Sequence, residues 1–372
     1  VKGFGGVPLF EKSIAPTEAG NVSRASIAQT YAFIEKDLKA AAALLPEKSG
    51  YTGNDIGRAT KGAANGYLAR VIMYQLGTVN GNNHTWQEVY DLTSTIISSA
   101  QYSLLANYAA IHQDIGENSS ESVFEIQFGT DNNTYGPISI GTTNNIFQNN
   151  RKTWGYGFNN PTQNLVDEFE PNDPRKEVTV IKNGDIVLGI LNVVDLTANA
   201  TGYFNRKAAI LAPAAPEAGP QNIRKIRYAD ILLMKAEAAA QLGKNGEAVA
   251  LVNQVRQRAR MSTRPPGTTL GSLSYEPANT PAGTLPDLAA SLSGQNLLNA
   301  IWHERRVEFG EESLRYWDLV RTGRYLATLP ADVRSRAMTH VATEASVNPF
   351  PLLPISLNDA QTWGVPQNPG YN

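Results

Sequence analysis

Two stretches of this chain repeat one layout, and that layout limits the fold more than any other feature. "GAANGYLARVIMYQLG" followed by "TWQEVYDLTSTIISSAQY", and "IRYADILLMKAEAAAQLG" followed by "GEAVALVNQVRQRAR", each read as a helix, a break and a second helix. Both first helices run into the same tripeptide, Gln75-Leu76-Gly77 and Gln241-Leu242-Gly243, and both carry alanines where two helices must approach closely. Degenerate tetratricopeptide-like units fit this pattern. An ordinary antiparallel helix pair closed by a Gly C-cap fits it equally. Upstream, "SIAQTYAFIEKDLKAAAALLP" supplies an amphipathic helix. Ser26 is its N-cap, Ile27, Tyr31, Ile34, Leu38 and Leu45 recur at helical spacing, and Pro46 stops it.

Between the hairpins, "SVFEIQF" and "VTVIKNGDIVLGIL" are β-branched runs, the second with an Asn183-Gly184 turn signal, which predicts a small β-hairpin. The rest of 129–222 is rich in Asn, Gly, Pro and aromatics, and 261–296 is a second excursion of this kind. Loops of that length in a compact chain are usually functional or mobile. The fold expected is mainly α: a tetratricopeptide-like helical-hairpin scaffold (an α-α superhelix) with long irregular loops and a small β-hairpin. Within one domain over 1–372, the scaffold is expected at 24–110, a loop-rich ligand-binding region at 120–222, and more scaffold at 223–260 and 297–328.

With 32 basic and 34 acidic residues in 372, the chain lacks the basic excess that a phosphate backbone demands, so nucleic acid is not an expected partner. Zero cysteines exclude disulfides and thiolate sites but leave the compartment open. No run of about 18 apolar residues occurs. The sequence opens "VKGFGGVPLF" without Met, which suggests that a targeting segment has been removed.

"IWHERRVEFGEESLRYWDLVRTGRY", residues 301–325, concentrates five Arg against five Glu or Asp beside Trp302 and Trp317. Leu298, Ile301, Trp302, Arg305 and Phe309 share a helical face. Arg305 with Glu308, and Asp318 with Arg315 and Arg321, stand three apart, the spacing of intrahelical pairs. Catalytic carboxylates would instead stand in a cleft with shifted pKa values, so a structural ion-pair network is expected here. Trp86 is expected in the core and Trp363 as a cover over the body.

These blocks resemble the SusD/RagB family of outer-membrane nutrient-binding (glycan-binding) lipoproteins. The resemblance is carried by the 301–325 block, by Arg227-Tyr228-Ala229-Asp230, by "FGGVPL", by "GRATKGAANGYLARV", by "ESVFEIQF" and "PTQNLVDEFEPNDPR", and by the final "QNPGY". It implies a tetratricopeptide-like scaffold, no catalytic activity, no cofactor, and a SusC-like TonB-dependent β-barrel transporter as partner. It also implies an extracellular outer-membrane location through an N-terminal lipid anchor not present in this sequence. Family members carry that lipidated cysteine and further helices before the Gly-Gly-Val-Pro segment. The function expected is capture of oligosaccharides for delivery to the barrel; a peptide-capturing RagB-like binder or a purely protein-binding helical repeat is the alternative.

Enzyme signatures are absent. There is no Gly-x-Ser-x-Gly elbow or P-loop, "GYGFNN" lacks a dinucleotide fingerprint's third glycine, and His84, His112, His303 and His340 show no zinc-ligand spacing. Glu304 with Glu308, or Asp167 with Glu168, could in principle do glycosidase work, but a salt-bridged face suits them better.

Sugars present flat C–H faces ringed by hydroxyls, so a glycan site needs aromatic platforms with amides and charges around them. "TDNNTYGPISIGTTNNIFQNNRKTWGYGFNNPTQ" supplies both. Trp154, Tyr156 and Phe158 alternate, Tyr135 precedes them, and Arg151, Asn132, Asn133, Asn149, Asn150 and Asn159 surround them. These are the expected ligand contacts, with Tyr275 a weaker candidate. The opposing reading folds Trp154 and Phe158 inward as loop anchors.

Overall fold

Local caps set where the main helices begin. In a computed structural model the described residues are 1–19, 22–78, 82–129, 141–148, 155–187, 190–191, 199, 201–209, 219–262, 284–328 and 352–368. After the short α1 (Pro16–Ala19), α2 (Ile27–Leu44) starts at the expected Ser26, whose hydroxyl accepts from Gln29 N–H while the Gln29 side chain accepts from Ser26 N–H. α3 (Lys61–Thr78) and α4 (Trp86–Ser98) form the first hairpin, and Thr85 with Glu88 makes a second capping box at the start of α4. α8 (Tyr228–Gln241) and α9 (Asn245–Met261) form the second. Between the hairpins lie the short α5 (Asn144–Gln148), α6 (Gln163–Val166) and α7 (Pro174–Thr179); beyond them come α10 (Gly294–Glu308), α11 (Arg315–Arg321), α12 (Tyr325–Thr328) and α13 (Leu357–Trp363).

The hairpins stack through α4 against α8, with α10 across α8 and α9, and with α2 and α11 on α3. This is the expected helical-hairpin scaffold. Its seams are lined by small residues: Ala63 and Ala69 on α3, and Ala229, Ala236, Ala238 and Ala239 on α8, are buried with Ile72, Ile231 and Leu232 in one core. Trp86 packs against that core, as expected. The Trp363 side chain lies outside the described residues.

The shared tripeptide does two different jobs. Gly243 takes φ 74° just past α8 and caps it, whereas α3 continues through Gly77 to Thr78. A Cβ on Gly77 would stand 1.9 Å from the Arg321 carbonyl oxygen, so this glycine lets α11 touch α3 and is no cap.

The strands depart from expectation. β2 (Val180–Lys182) and β3 (Ile186–Val187) flank the Asn183-Gly184 turn but do not pair with each other. β2 pairs with β5 (Tyr203–Asn205), and β3 pairs with β4 (Ile190–Leu191) to make the small hairpin one turn later. β1 (Ser122–Ile126) pairs antiparallel with β6 (Ile223–Arg227), so 223–227, read from sequence as scaffold helix, is a strand.

The 301–325 block is a structural knot, and apart from the expected pair of Asp318 with Arg321 its partners are long-range. Arg305 bonds Asp230 at 2.7 Å and Asp318 at 3.1 Å, and leaves Glu308 to others. Glu308 accepts from Arg175, Arg227 and Arg258, three side chains from three other elements. Asp318 is joined by Arg305 and Arg321 and not, among the described ion pairs, by Arg315. Burial alone would raise the Glu308 carboxyl, but Arg258, Arg227 and Arg175 together hold it below the usual range.

His303 extends the knot toward the surface. Its Nδ1 lies 2.8 Å from Glu168 and its Nε2 3.5 Å from Glu170, and these carboxylates raise it to about 9. A folded-state value above the ordinary 6.5 contributes stability that is fully present below about 6.5 and is lost as pH rises through about 9. The melting temperature should therefore fall between pH 6 and pH 9.5 by more in the wild type than in His303→Gln, as thermal scans would record. Equal slopes would mean that the imidazolium does not hold the 168–170 loop.

Candidate functional site

One short helix organises the surface where aromatics and amides meet. Asn145 of α5 is wholly buried and donates to the Ala208 carbonyl and the Gln221 side chain, while Thr142 exchanges main-chain bonds with Gly219. With Asn145 and Ile146 turned inward, Phe147 is turned out. The segment after Gly155 is stitched to it: Tyr156 N–H donates to the Ile146 carbonyl and Phe158 N–H to the Phe147 carbonyl, both at 2.7 Å. Gly157 and Asn159 take φ 69° and 52°, which bends the chain so that residues 156 and 158 stand beside Phe147.

The result is an aromatic triad at the surface. Phe147, Tyr156 and Phe158 are 43, 46 and 55% exposed. Their ring centroids lie 5.6, 6.0 and 6.4 Å apart at tilts of 44 to 56°. Clustered rings held this far out of the core are the kind of apolar surface that marks a binding site. Amides surround them. Asn159 and Asn205 both donate to Gln148 Oε1 at 2.7 Å, and Gln148 donates to Asn144 at 2.6 Å.

Of the residues singled out in sequence, Tyr156, Phe158 and Asn159 come together here, and Phe158 does not fold inward. Trp154, Tyr135, Arg151, Asn132, Asn133, Asn149, Asn150, Tyr275 and His340 lie outside the described residues. Phe147, Gln148 and Asn205 were missed. For Phe147 the signal was present, a lone aromatic between amides in "NNIFQNN"; for Asn205, more than forty residues away in sequence, there was none.

Nothing in this arrangement equips it for acid–base chemistry. Glu304 and Glu308 are filled by arginines, Glu168 by His303 and Arg306, and Asp167 accepts from Gln163. Among the described residues no cluster of three His, Asp or Glu could hold a metal, and no helix is long and apolar enough to cross a membrane.

A family profile described as "SusD family" matches residues 120–371, and one described as "Starch-binding associating with outer membrane" matches residues 1–73. A SusD-like protein of Formosa agariphila is 37% identical over 30% of this chain and 19% of its own length. Another from that organism is 24% identical over 96% of this chain and 67% of its own. The surface glycan-binding protein A of Bacteroides fluxus superposes with a TM-score of 0.71 at 25% identity, covering 100% of this chain and 74% of that one. A laminarin-binding SusD-like protein gives 0.69 at 25%, covering 99% and 75%. A SusD homolog from Bacteroides thetaiotaomicron, 20% identical, shares the fold at 0.73 over 100% and 76%. The chain thus spans part of the length of each of these relatives.

Proposed function

We infer that this chain, which belongs to the SusD family, captures oligosaccharides without altering them, and that Phe147, Tyr156 and Phe158 form the platform that holds them. The exposed triad ringed by amides carries this reading, because stacking displaces water from sugar faces while amides meet the hydroxyls. Relatives named as surface glycan-binding and laminarin-binding support it. Trp154 and Arg151, just before Tyr156 in sequence, are proposed as further contacts, with Tyr135, Asn132 and Asn133. The protein acts at the outer membrane, lipid-anchored on the extracellular face, and passes its ligand to a SusC-like TonB-dependent transporter. The outer-membrane description of the profile matching residues 1–73 and the resemblance across the motifs support that placement.

Calorimetry with neutral oligosaccharides, laminarin fragments among them, tests the platform. Truncating Tyr156 or Phe158 to Ala should cost roughly 1 to 3 kcal/mol, about ten- to a hundredfold in affinity. Neutral ligands should bind with little dependence on salt, and no reducing ends should be released. If both variants fold and bind as tightly as the wild type, the platform lies elsewhere.

A further inference from the structure

α5 has a second side. Phe147 joins the aromatic triad, whereas Asn144 and Gln148, one turn apart, line a cleft of about 460 Å³ beside the platform, to which Gln148 is tied by its bond from Asn159. Asn205 and Asn222 add amides to its wall. The cations around it are Lys2, Arg70, Lys207, Arg224 and Lys225; the carboxylates are Glu311 and Glu312.

Those charges do not cancel within the cleft. Glu312 is saturated by Lys207 at 2.7 Å and by two Arg227 nitrogens at 2.9 Å, and Arg70 is bound to Asp230. Burial pushes the Glu311 carboxyl up to about 7, which removes much of its charge near neutrality. Among the described residues, two of the cations, Lys2 and Lys225, then stand without a carboxylate within ion-pair distance, and a third, Arg224, is only loosely paired. Lys2 sits over the Tyr74 and Trp317 rings at 4.4 and 5.2 Å. Arg224, its side chain 6% exposed, gives its terminal nitrogens to the carbonyls of Asn222 and Gln113; its Nε has no hydrogen-bond partner, and two carboxylates face it at longer range, Glu125 at 3.5 Å and Glu117 at 3.9 Å. Lys225 is exposed at the rim. His112, 8% exposed, also leaves Nε2 without a hydrogen-bond partner, 3.6 Å from Glu312. Burial, then Lys207, Arg227, Arg224 and Arg258, lower its pKa well below the ordinary value, so it adds no positive charge of its own.

We propose that this cleft is a subsite for an anionic substituent, a uronate carboxylate or a sulfate, on the same oligosaccharide whose sugar faces stack on the platform. The proposal rests on the platform reading above. An anionic group draws charge-assisted hydrogen bonds from guanidinium and ammonium donors, and the amides of Asn144 and Gln148 line the cleft on the side of the platform. A neutral chain would leave Lys2 and Lys225 without an anionic partner.

Binding of the wild type, Lys225→Glu and Tyr156→Ala to immobilised neutral, uronate-bearing and sulfated oligosaccharides, at low and high salt, decides it. Lys225 is exposed, so its reversal should leave the fold intact. The tightest ligands should be anionic and should weaken with salt. Lys225→Glu should weaken them by about three- to tenfold without affecting neutral ones. The uronate and sulfate arms show which anion the cleft takes. If neutral glycans bind as tightly as anionic ones, or Lys225→Glu changes nothing, the subsite is overturned while a loss in Tyr156→Ala keeps the platform. Anionic binding lost in Lys225→Glu but untouched in Tyr156→Ala overturns the platform instead. No binding by any glycan overturns both.

Discussion

Arg175→Ala should lower the stability of this protein by about 3 to 5 kcal/mol, the cost of leaving buried charges without their partner. Arg175 is fully buried on α7 and bonds Asp173, Glu304 and Glu308 at once. Removing it leaves Asp173 buried without its cation and takes one partner from Glu304, which keeps Arg256, and one from Glu308, which keeps Arg227 and Arg258. A chain of this length should lose on the order of 5 °C in melting temperature for such a change. Lysine should rescue little, since one ammonium cannot replace a planar fork that faces several carboxylates. Lys36→Ala, which breaks an exposed pair with Glu11, should change almost nothing. Ligand affinity in the folded fraction of Arg175→Ala should match the wild type, because the platform draws on α5 and 155–160. Thermal melts and calorimetry on the three variants measure this. An Arg175→Ala protein as stable as Lys36→Ala would show that the buried network does not hold α7 against α10.

That network also explains which sequence motifs were dense and why their spacing misled. Arg227 and Asp230, three apart, do not pair with each other. Arg227 reaches Glu121, Glu308 and Glu312, whereas Asp230 ties Arg70 to Arg305. α10 is buried over much of its circumference, for Leu297, Ile301, Glu304 and Glu308 share one inaccessible stripe and Trp302 and Val307 are buried on either side of it. A helix wrapped on several sides takes partners from whichever elements pack there, so i, i+3 spacing cannot name them. The resemblance pointed to these residues; only the packing shows what each one does.

Local chemistry was legible wherever it was sufficient. Ser26 marked the start of α2, and the concentration of Tyr156, Phe158 and Asn159 marked a surface segment, though it is the left-handed turn at Gly157 that brings the two rings together. β6 was not legible, because five residues running straight into a helix become a strand only when β1, about a hundred residues earlier, pairs with them. Phe147 carried a local signal in its flanking amides, but not the direction in which it points. Its outward turn depends on Asn145 being anchored to Ala208 and Gln221, contacts that no window around α5 contains.

Gly77→Ala should destabilise the protein strongly, with the opposite sign to the one helix propensity gives. In an exposed helix interior the exchange of Gly for Ala is worth about 0.8 to 1.0 kcal/mol in favour of Ala. Here the added Cβ would meet the Arg321 carbonyl oxygen at 1.9 Å and its carbon at 2.8 Å, so the backbone of α11 must retreat from α3. Retreat is costly because Arg321 is held by both Glu237 oxygens, at 2.6 and 2.9 Å, and by Asp318 at 2.8 Å. Overpacking of a tight seam costs about 1 to 3 kcal/mol, and strain on the Arg321 pairs should bring the loss to about 3 kcal/mol or more. Gly243→Ala, at a φ of 74° with nothing within 4 Å of its Cβ, should cost only about 1 to 2 kcal/mol, the left-handed penalty alone. Paired urea and thermal unfolding of the two variants separates the two roles. If Gly77→Ala proves milder than Gly243→Ala, α3 and α11 do not touch through this glycine, and Gly77 is the plain helix-ending residue its tripeptide suggests.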